Sequence, residues 1–275
     1  ANEILNNNND INMNNSTIKG AENLLENLDS FFDNKNHDEK DVKDYNNLIH
    51  YLEKYRDLND KFKNNDCEID SLINDPTDMR RGITVLSYFE DSVGSKINNF
   101  LKELKVIEPE QYYYPKNELH LTILSIISCT TGFKLANIDV EAYSHVFKET
   151  IKHIDGFKIH YKGITVSPSC ILIQGFPDTK QLNHLRDALR VNFKKAKLES
   201  TIDSRYRIST AHTTAVRCLT AFKNSDELMK VLFQYKNYDF GTLEVNSLEL
   251  VFNNWYQNLS ITNSLSHFKL KPGET

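Results

Sequence analysis

Apolar positions divide the chain into two textures. Up to about residue 78 they recur at helical spacing, and after Arg81 short apolar runs of strand length alternate with amphipathic stretches. Leu24, Leu25, Leu28, Phe31 and Phe32 predict a helix from Ser16 or Thr17 to about Asp33. Val42, Tyr45, Leu48, Ile49, Leu52, Tyr55, Leu58 and Phe62 recur three and four apart, with Asp, Glu and Lys between them, and predict a second, longer amphipathic helix. Its stripe is expected to pack on the first helix or on the following domain, with a protein partner as the alternative occupant. Residues 1–16 are Asn-rich and low in complexity, and no regular element is expected there. The segment NDPTD at 74–78 ends this extension with turn residues.

The second texture contains one pattern twice. ITVLSYFED (83–91), followed by a helix through Ile97, Phe100 and Leu104, matches ILIQGFPD (171–178), followed by a helix through Leu182, Leu185 and Leu189. NELHLTILSII (117–127) matches YRISTAHTTAVRC (206–218), and each precedes an expected helix, near 139–154 and 225–236. GFKIHYKGITV (156–166) matches FGTLEVNSLELVF (240–252). The three offsets are 87 or 88, 92 and about 84 residues, in one order. A duplicated strand–helix–strand unit assembles into two lobes about a pseudo-twofold axis, which brings equivalent strands to a central groove. The expected organisation is therefore an Asn-rich leader and acidic helical extension over 1–78, then a two-lobed domain over 79–275.

Charge follows the same division. Residues 1–78 carry 8 Lys+Arg against 18 Asp+Glu, and the remainder carries 25 against 20. The acidic front reads as a solvated surface. The mildly basic remainder admits a phosphate-bearing ligand but excludes a strongly basic, non-specific nucleic-acid binder. Cys67, Cys129, Cys170 and Cys218 have no CxxC or zinc-like spacing, and reduced, mostly buried thiols are expected. No apolar run is long enough to cross a membrane and no signal-peptide core is present, so a cytoplasmic protein without a membrane partner is the expectation, with a processed or exported form as the alternative.

The two repeated strands each carry His-x-Thr: His120 with Thr122, and His212 with Thr214. Side chains two apart on a strand share a face, so each motif presents an imidazole and a hydroxyl together, and the repeat turns the two pairs toward each other. His145, His153, His160 and His184 lack such company and read as ordinary helix, surface or core residues, and no metal-ligating pattern is present.

The stretch Tyr114-Pro115-Lys116-Asn117-Glu118-Leu119-His120-Leu121-Thr122-Ile123, together with Ala211-His212-Thr213-Thr214-Ala215, resembles the two-histidine (2H) phosphoesterase superfamily. That superfamily includes bacterial RNA 2'-5' ligase-like proteins, eukaryotic cyclic phosphodiesterases and 2'-5' oligoadenylate phosphodiesterases. Each half of such a protein supplies one His-Φ-[Ser/Thr]-Φ motif, Φ being apolar. Thr213 departs by occupying an apolar position, which a β-branched side chain fills on a strand. The resemblance covers residues 80–270 and implies an α+β, bilobal fold with antiparallel-rich sheets around a groove, preceded here by an α-helical extension.

In-line displacement at phosphorus needs one group to take a proton and another to give one. Two imidazoles on opposite walls suit this near neutrality, in an order the sequence leaves open. Thr122 and Thr214 are expected to donate to the non-bridging oxygens. The reading is a metal- and cofactor-independent phosphodiesterase acting on RNA or oligonucleotides carrying 2',3'-cyclic phosphates or 2'-5' linkages. The alternatives are an exonuclease that trims 3' RNA ends through a cyclic phosphate and a non-catalytic RNA-binding or interaction module. Tyr114, Lys116, Tyr206, Trp255 and Tyr256 are the candidate substrate contacts. Strand parity sets Arg205, Arg207 and Arg217 on the face away from His212 unless a bulge intervenes.

Overall fold

The computed structural model describes residues 67–89 and 92–272, together with Phe62 and Asn64. The chain divides into two units, Ala1–Lys54 and Tyr55–Thr275, and every described residue belongs to the second. The leader, the first expected helix and nearly all of the second lie outside the described residues.

Nine strands and four α-helices follow one another among the described residues: β1 (Arg80–Tyr88), α1 (Ser92–Ile107), β2 (Tyr112–Tyr113), β3 (His120–Thr131), α2 (Val140–Ile151), β4 (Phe157–Ser167), β5 (Cys170–Pro177), α3 (Gln181–Lys195), β6 (Ala211–Arg217), α4 (Ser225–Tyr235), β7 (Asp239–Val245), β8 (Ser247–Asn254) and β9 (Asn263–Lys269). Each helix forms where apolar residues repeat at three and four. α1 buries Val93, Ile97, Phe100, Leu101 and Leu104, and α3 buries Leu182, Leu185, Leu189 and Phe193. α2 starts at Asp139, whose side chain accepts from Ala142 N at 3.1 Å. β1 buries six consecutive residues, as a strand covered on both faces must.

The strands form two antiparallel sheets, in the orders β3-β1-β8-β9 and β2-β6-β5-β4-β7. Leaving out the short β2, each histidine strand lies beside the first strand of its repeat, and the third repeated strand lies on that strand's other side. Tyr88 is opposite His120 as Gln174 is opposite His212, and Leu86 is opposite Glu249 as Leu172 is opposite Thr165. The expected duplication and two-lobed α+β architecture are thus present. One feature differs from a lobe per repeat: β8, from the second repeat, completes the sheet of β1 and β3, whereas β4, from the first, lies in the sheet of β5 and β6. The strand exchange makes one fold of the two halves.

Two further elements bear on the expectation. β9 was not foreseen; it has mixed, largely exposed positions because it is a sheet edge, so its apolar signal is weak. The turn at 74–78 is formed as expected, with Asp75 Oδ1 accepting from Thr77 N and Oγ1 at 2.8 and 2.6 Å. The residues just before it are built into the domain. Phe62 is fully buried against Phe222, Glu68 N donates to Pro168 O, and Asp70 N donates to Cys218 O.

β3 has three register shifts against β1. Those between Ile83 and Thr84, and between Val85 and Leu86, each set an extra β3 residue against β1, so the half-buried positions become Thr122, Ser125 and Ser128 rather than every second residue. Gly82 sits at the third shift, where a Cβ would stand 2.3 Å from Ile127 O, so only glycine admits this approach of the strands.

Candidate active site

A cavity of about 180 Å³, open to solvent, is lined by His120 and Thr122 from β3 and by His212 and Thr214 from β6. Both His-x-Thr pairs therefore face one space. The Thr122 and Thr214 hydroxyls make no hydrogen bond among the described residues, so both are available to a ligand in the cavity.

His120 is 8% exposed, and its Nδ1 lies 2.7 Å from Glu118 O. A carbonyl only accepts, so Nδ1 carries the hydrogen and Nε2 is the nitrogen left to titrate. Burial pushes its pKa down to about 4, the Glu118 carbonyl opposing and nearby Arg217 and His212 adding to the shift. Glu118 is itself held by its carboxylate, which accepts from Leu259 N at 3.0 Å and Tyr112 Oη at 3.2 Å. His212 Nδ1 meets Thr210 Oγ1 at 3.1 Å, a hydroxyl that accepts or donates as the ring's protonation requires. Burial and then the Arg186 guanidinium lower the pKa of His212.

Two arginines organise these strands. Arg217 lines the cavity although simple parity points it away. On β6 a register shift opposite Ile171 and Leu172 inserts an extra residue between Thr214 and Val216, and the bulge turns Arg217 to the histidine side. Its Nε donates to Tyr114 Oη at 3.0 Å and its Nη1 to Asp70 Oδ2 at 3.2 Å, while Nη2 has no protein acceptor among the described residues. The second, Arg186, lies on the apolar stripe of α3 and is 1% exposed. Its Nε donates to Ile123 O at 2.8 Å, and its Nη2 donates to Thr122 O at 3.2 Å and Thr210 O at 2.9 Å. One guanidinium thus ties the backbone of the first motif to the residue that contacts His212. Burial brings its pKa to about 10, so it remains charged at neutrality. An arginine in an otherwise apolar i, i+3, i+4 pattern was the sequence signal for it; Asp70 left none.

The candidate substrate contacts separate in the structure. Tyr114, Tyr206 and Trp255 line the cavity. Tyr114 is buried and supports Arg217, whereas Tyr206 is 68% exposed with no hydrogen bond or ring contact among the described residues. Lys116 lies outside the lining because its Nζ reaches Ser95 Oγ at 2.8 Å. Tyr256 is also outside it: its buried hydroxyl donates to Asp70 Oδ1 at 2.6 Å and accepts from Arg80 Nη2 at 3.1 Å. Tyr256 and Asp70 therefore brace Arg217 from behind, and Arg217 lies 5.1 Å from the Tyr256 ring centroid. Arg207 is ion-paired with Asp187 at 3.0 Å on the surface.

The domain resembles solved structures in fold. It superposes on TT0787 of Thermus thermophilus with a TM-score of 0.53 and 14% identity, over 70% of this chain and 100% of that one. E. coli LigT complexed with 3'-AMP gives 0.48 and 13%, over 70% and 98% of the two chains. The conserved protein of unknown function ATU0111 from Agrobacterium tumefaciens gives 0.47 and 12%, over 76% and 99%. No family model matches the chain, and no curated protein matches it. The architecture is thus an α+β fold shared with TT0787.

Proposed function

We propose that the domain is a phosphodiesterase that cleaves nucleotide or RNA phosphodiesters without a metal ion, using His120 and His212 as its proton-transfer pair. The observation that carries this is the convergence of two imidazoles, two unpartnered threonine hydroxyls and a guanidinium on one cavity. The fold shared with TT0787 accords with the reading.

His120 is the general base. Its Nδ1–H is held by Glu118 O, and burial keeps Nε2 unprotonated at neutral pH, ready to take a proton from water or from a ribose hydroxyl. His212 is the general acid, because the Thr210 hydroxyl accepts from its Nδ1–H when the ring is doubly protonated and Nε2 then delivers a proton to the leaving oxygen. Thr122 and Thr214 donate to the non-bridging oxygens, and Arg217 Nη2 neutralises charge that grows there in the transition state. The preferred substrates are a 2',3'-cyclic phosphate, opened by water, and a 2'-5' linkage. A 3' RNA end trimmed through a cyclic phosphate uses the same two proton transfers.

The test is incubation in EDTA with a panel of 2',3'-cyclic, 2'-5' linked and 3'-5' linked oligonucleotides, the products being identified by mass. Turnover in chelator supports the proposal. An absolute requirement for added divalent metal, or ligand binding with no turnover on any member, overturns it.

A further inference from the structure

The cavity continues beyond the histidines. Thr122, Ser125 and Ser128 descend one wall of it, and Thr201, Ser204, Arg205 and Tyr206 line it from the segment that precedes β6. We propose that Arg205 and Tyr206 form a second nucleotide subsite, so that the substrate is an oligonucleotide with at least one phosphate beyond the scissile one. This rests on the phosphodiesterase reading above and specifies its substrate.

Arg205 is exposed, yet its guanidinium is held in place: Nη2 donates to Cys129 O at 2.9 Å, and Cζ lies 4.8 Å from the Trp255 ring centroid. It has no carboxylate partner among the described residues. The only carboxylate among the described lining residues, Asp203, is neutralised by Arg190, whose Nε and Nη2 donate to its two oxygens at 2.7 and 3.1 Å. Arg80, which also lies against Trp255, is paired with Asp78. The far end of the cavity thus carries an uncompensated, pre-oriented cation, the arrangement a phosphate selects.

Its distance from the scissile position follows from β1. Thr122 pairs with Leu86, and Cys129 abuts Gly82, so four residues of β1 separate Arg205's carbonyl anchor from the first motif. At about 3.4 Å per residue that is roughly 14 Å, more than a mononucleotide's own phosphate and ribose cover. Between the two ends stand hydroxyls of Ser125 and Ser128 on β3, which suit a sugar–phosphate chain, and the unstacked Tyr206 ring offers a nucleobase its face. Trp255, with two guanidinium groups on its ring, orients Arg205 rather than stacking a base.

The experiment compares adenosine 2',3'-cyclic phosphate with a trinucleotide ending in the same cyclic phosphate, for wild type, Arg205→Ala and Tyr206→Ala. Wild type is expected to show at least about a tenfold higher kcat/KM on the trinucleotide. Arg205→Ala loses about tenfold of it through KM, flattens its salt dependence by about one phosphate contact, and leaves the mononucleotide unchanged. Tyr206→Ala shows a smaller loss of the same kind. Equal wild-type efficiency on both substrates, or an Arg205→Ala loss common to both, overturns the subsite. If wild type turns over neither, the phosphodiesterase reading fails, and fluorescence titration of the 3'-phosphorylated trinucleotide against adenosine 3'-monophosphate decides the subsite: an Arg205-dependent preference for the longer ligand supports it, and its absence overturns it.

Discussion

Replacing Arg186 by Met tests whether the two half-sites are held together by one buried guanidinium. The change removes three hydrogen bonds, to Thr122 O, Ile123 O and Thr210 O, while keeping an apolar side chain of similar length on the buried stripe of α3. Charge-assisted bonds contribute about 1.5–3 kcal/mol each, and the desolvation of a buried guanidinium offsets part of their sum, which leaves a net loss of about 3 kcal/mol. For a domain of this size each kcal/mol lowers Tm by about 2–4 °C, so Arg186→Met is expected to melt about 6–12 °C lower. Arg186→Lys, which keeps the charge but only part of the fork, falls between. The catalytic effect is of the same size as the stability effect, because a displacement of about 1 Å between the His120 and His212 walls costs on the order of 100-fold in kcat, about 2.7 kcal/mol. The Met variant also removes a positive charge that lowers the pKa of His212, so the alkaline limb of its kcat/KM profile moves to higher pH, and Lys keeps it in place. Calorimetry and a pH–rate series at a temperature where all variants are folded give the answer. Wild-type Tm together with wild-type kcat in Arg186→Met would refute the clamp.

Further outcomes follow from the same geometry. His120, neutral in the folded protein with a pKa of about 4 against 6.5 unfolded, contributes stability that is intact above pH 6.5 and is lost as pH falls toward 4, by about 3 kcal/mol; His120→Asn should flatten that acid-side slope in urea titrations, and an unchanged slope would contradict the buried neutral ring. Asp70→Asn removes the charge that holds Arg217 Nη1 and should raise KM several-fold with a modest loss of kcat, whereas Arg217→Ala should lower kcat at least about 100-fold; an Arg217→Ala enzyme with wild-type kcat would remove Arg217 from the site. Thr213 is buried with an unbonded hydroxyl, so Thr213→Val should stabilise the domain by about 1 kcal/mol and leave turnover intact; a lower Tm would show that the hydroxyl has a partner.

The fold was legible wherever periodicity was strong. The repeated apolar runs placed β1, β3, β4, β5 and the helices, and the apolar role expected of Thr213 agrees with its buried, unbonded position. The exchange of β4 and β8 between sheets was not legible, because an offset in sequence carries no information about which sheet a strand joins. The parity argument failed at Arg217 for a local reason: one inserted residue near Ala215 reverses the face of everything after it, and nothing in HTTAVR marks the bulge. Arg205 lies before β6 begins, so strand parity never applied to it. Lys116 and Tyr256 stood beside site residues in sequence but are taken up by Ser95 and Asp70, partners far away along the chain.

Paired kinetics and binding on the two histidine variants go most directly to the reaction. Wild type should show a bell-shaped pH dependence of kcat/KM on a cyclic-phosphate-ended oligonucleotide in EDTA, and His120→Ala and His212→Ala should each lose at least about 1,000-fold in kcat while binding the product within a few-fold of wild type. A flat profile, or variants that lose binding and turnover by the same small factor, would contradict a pair of imidazoles moving protons across one phosphate.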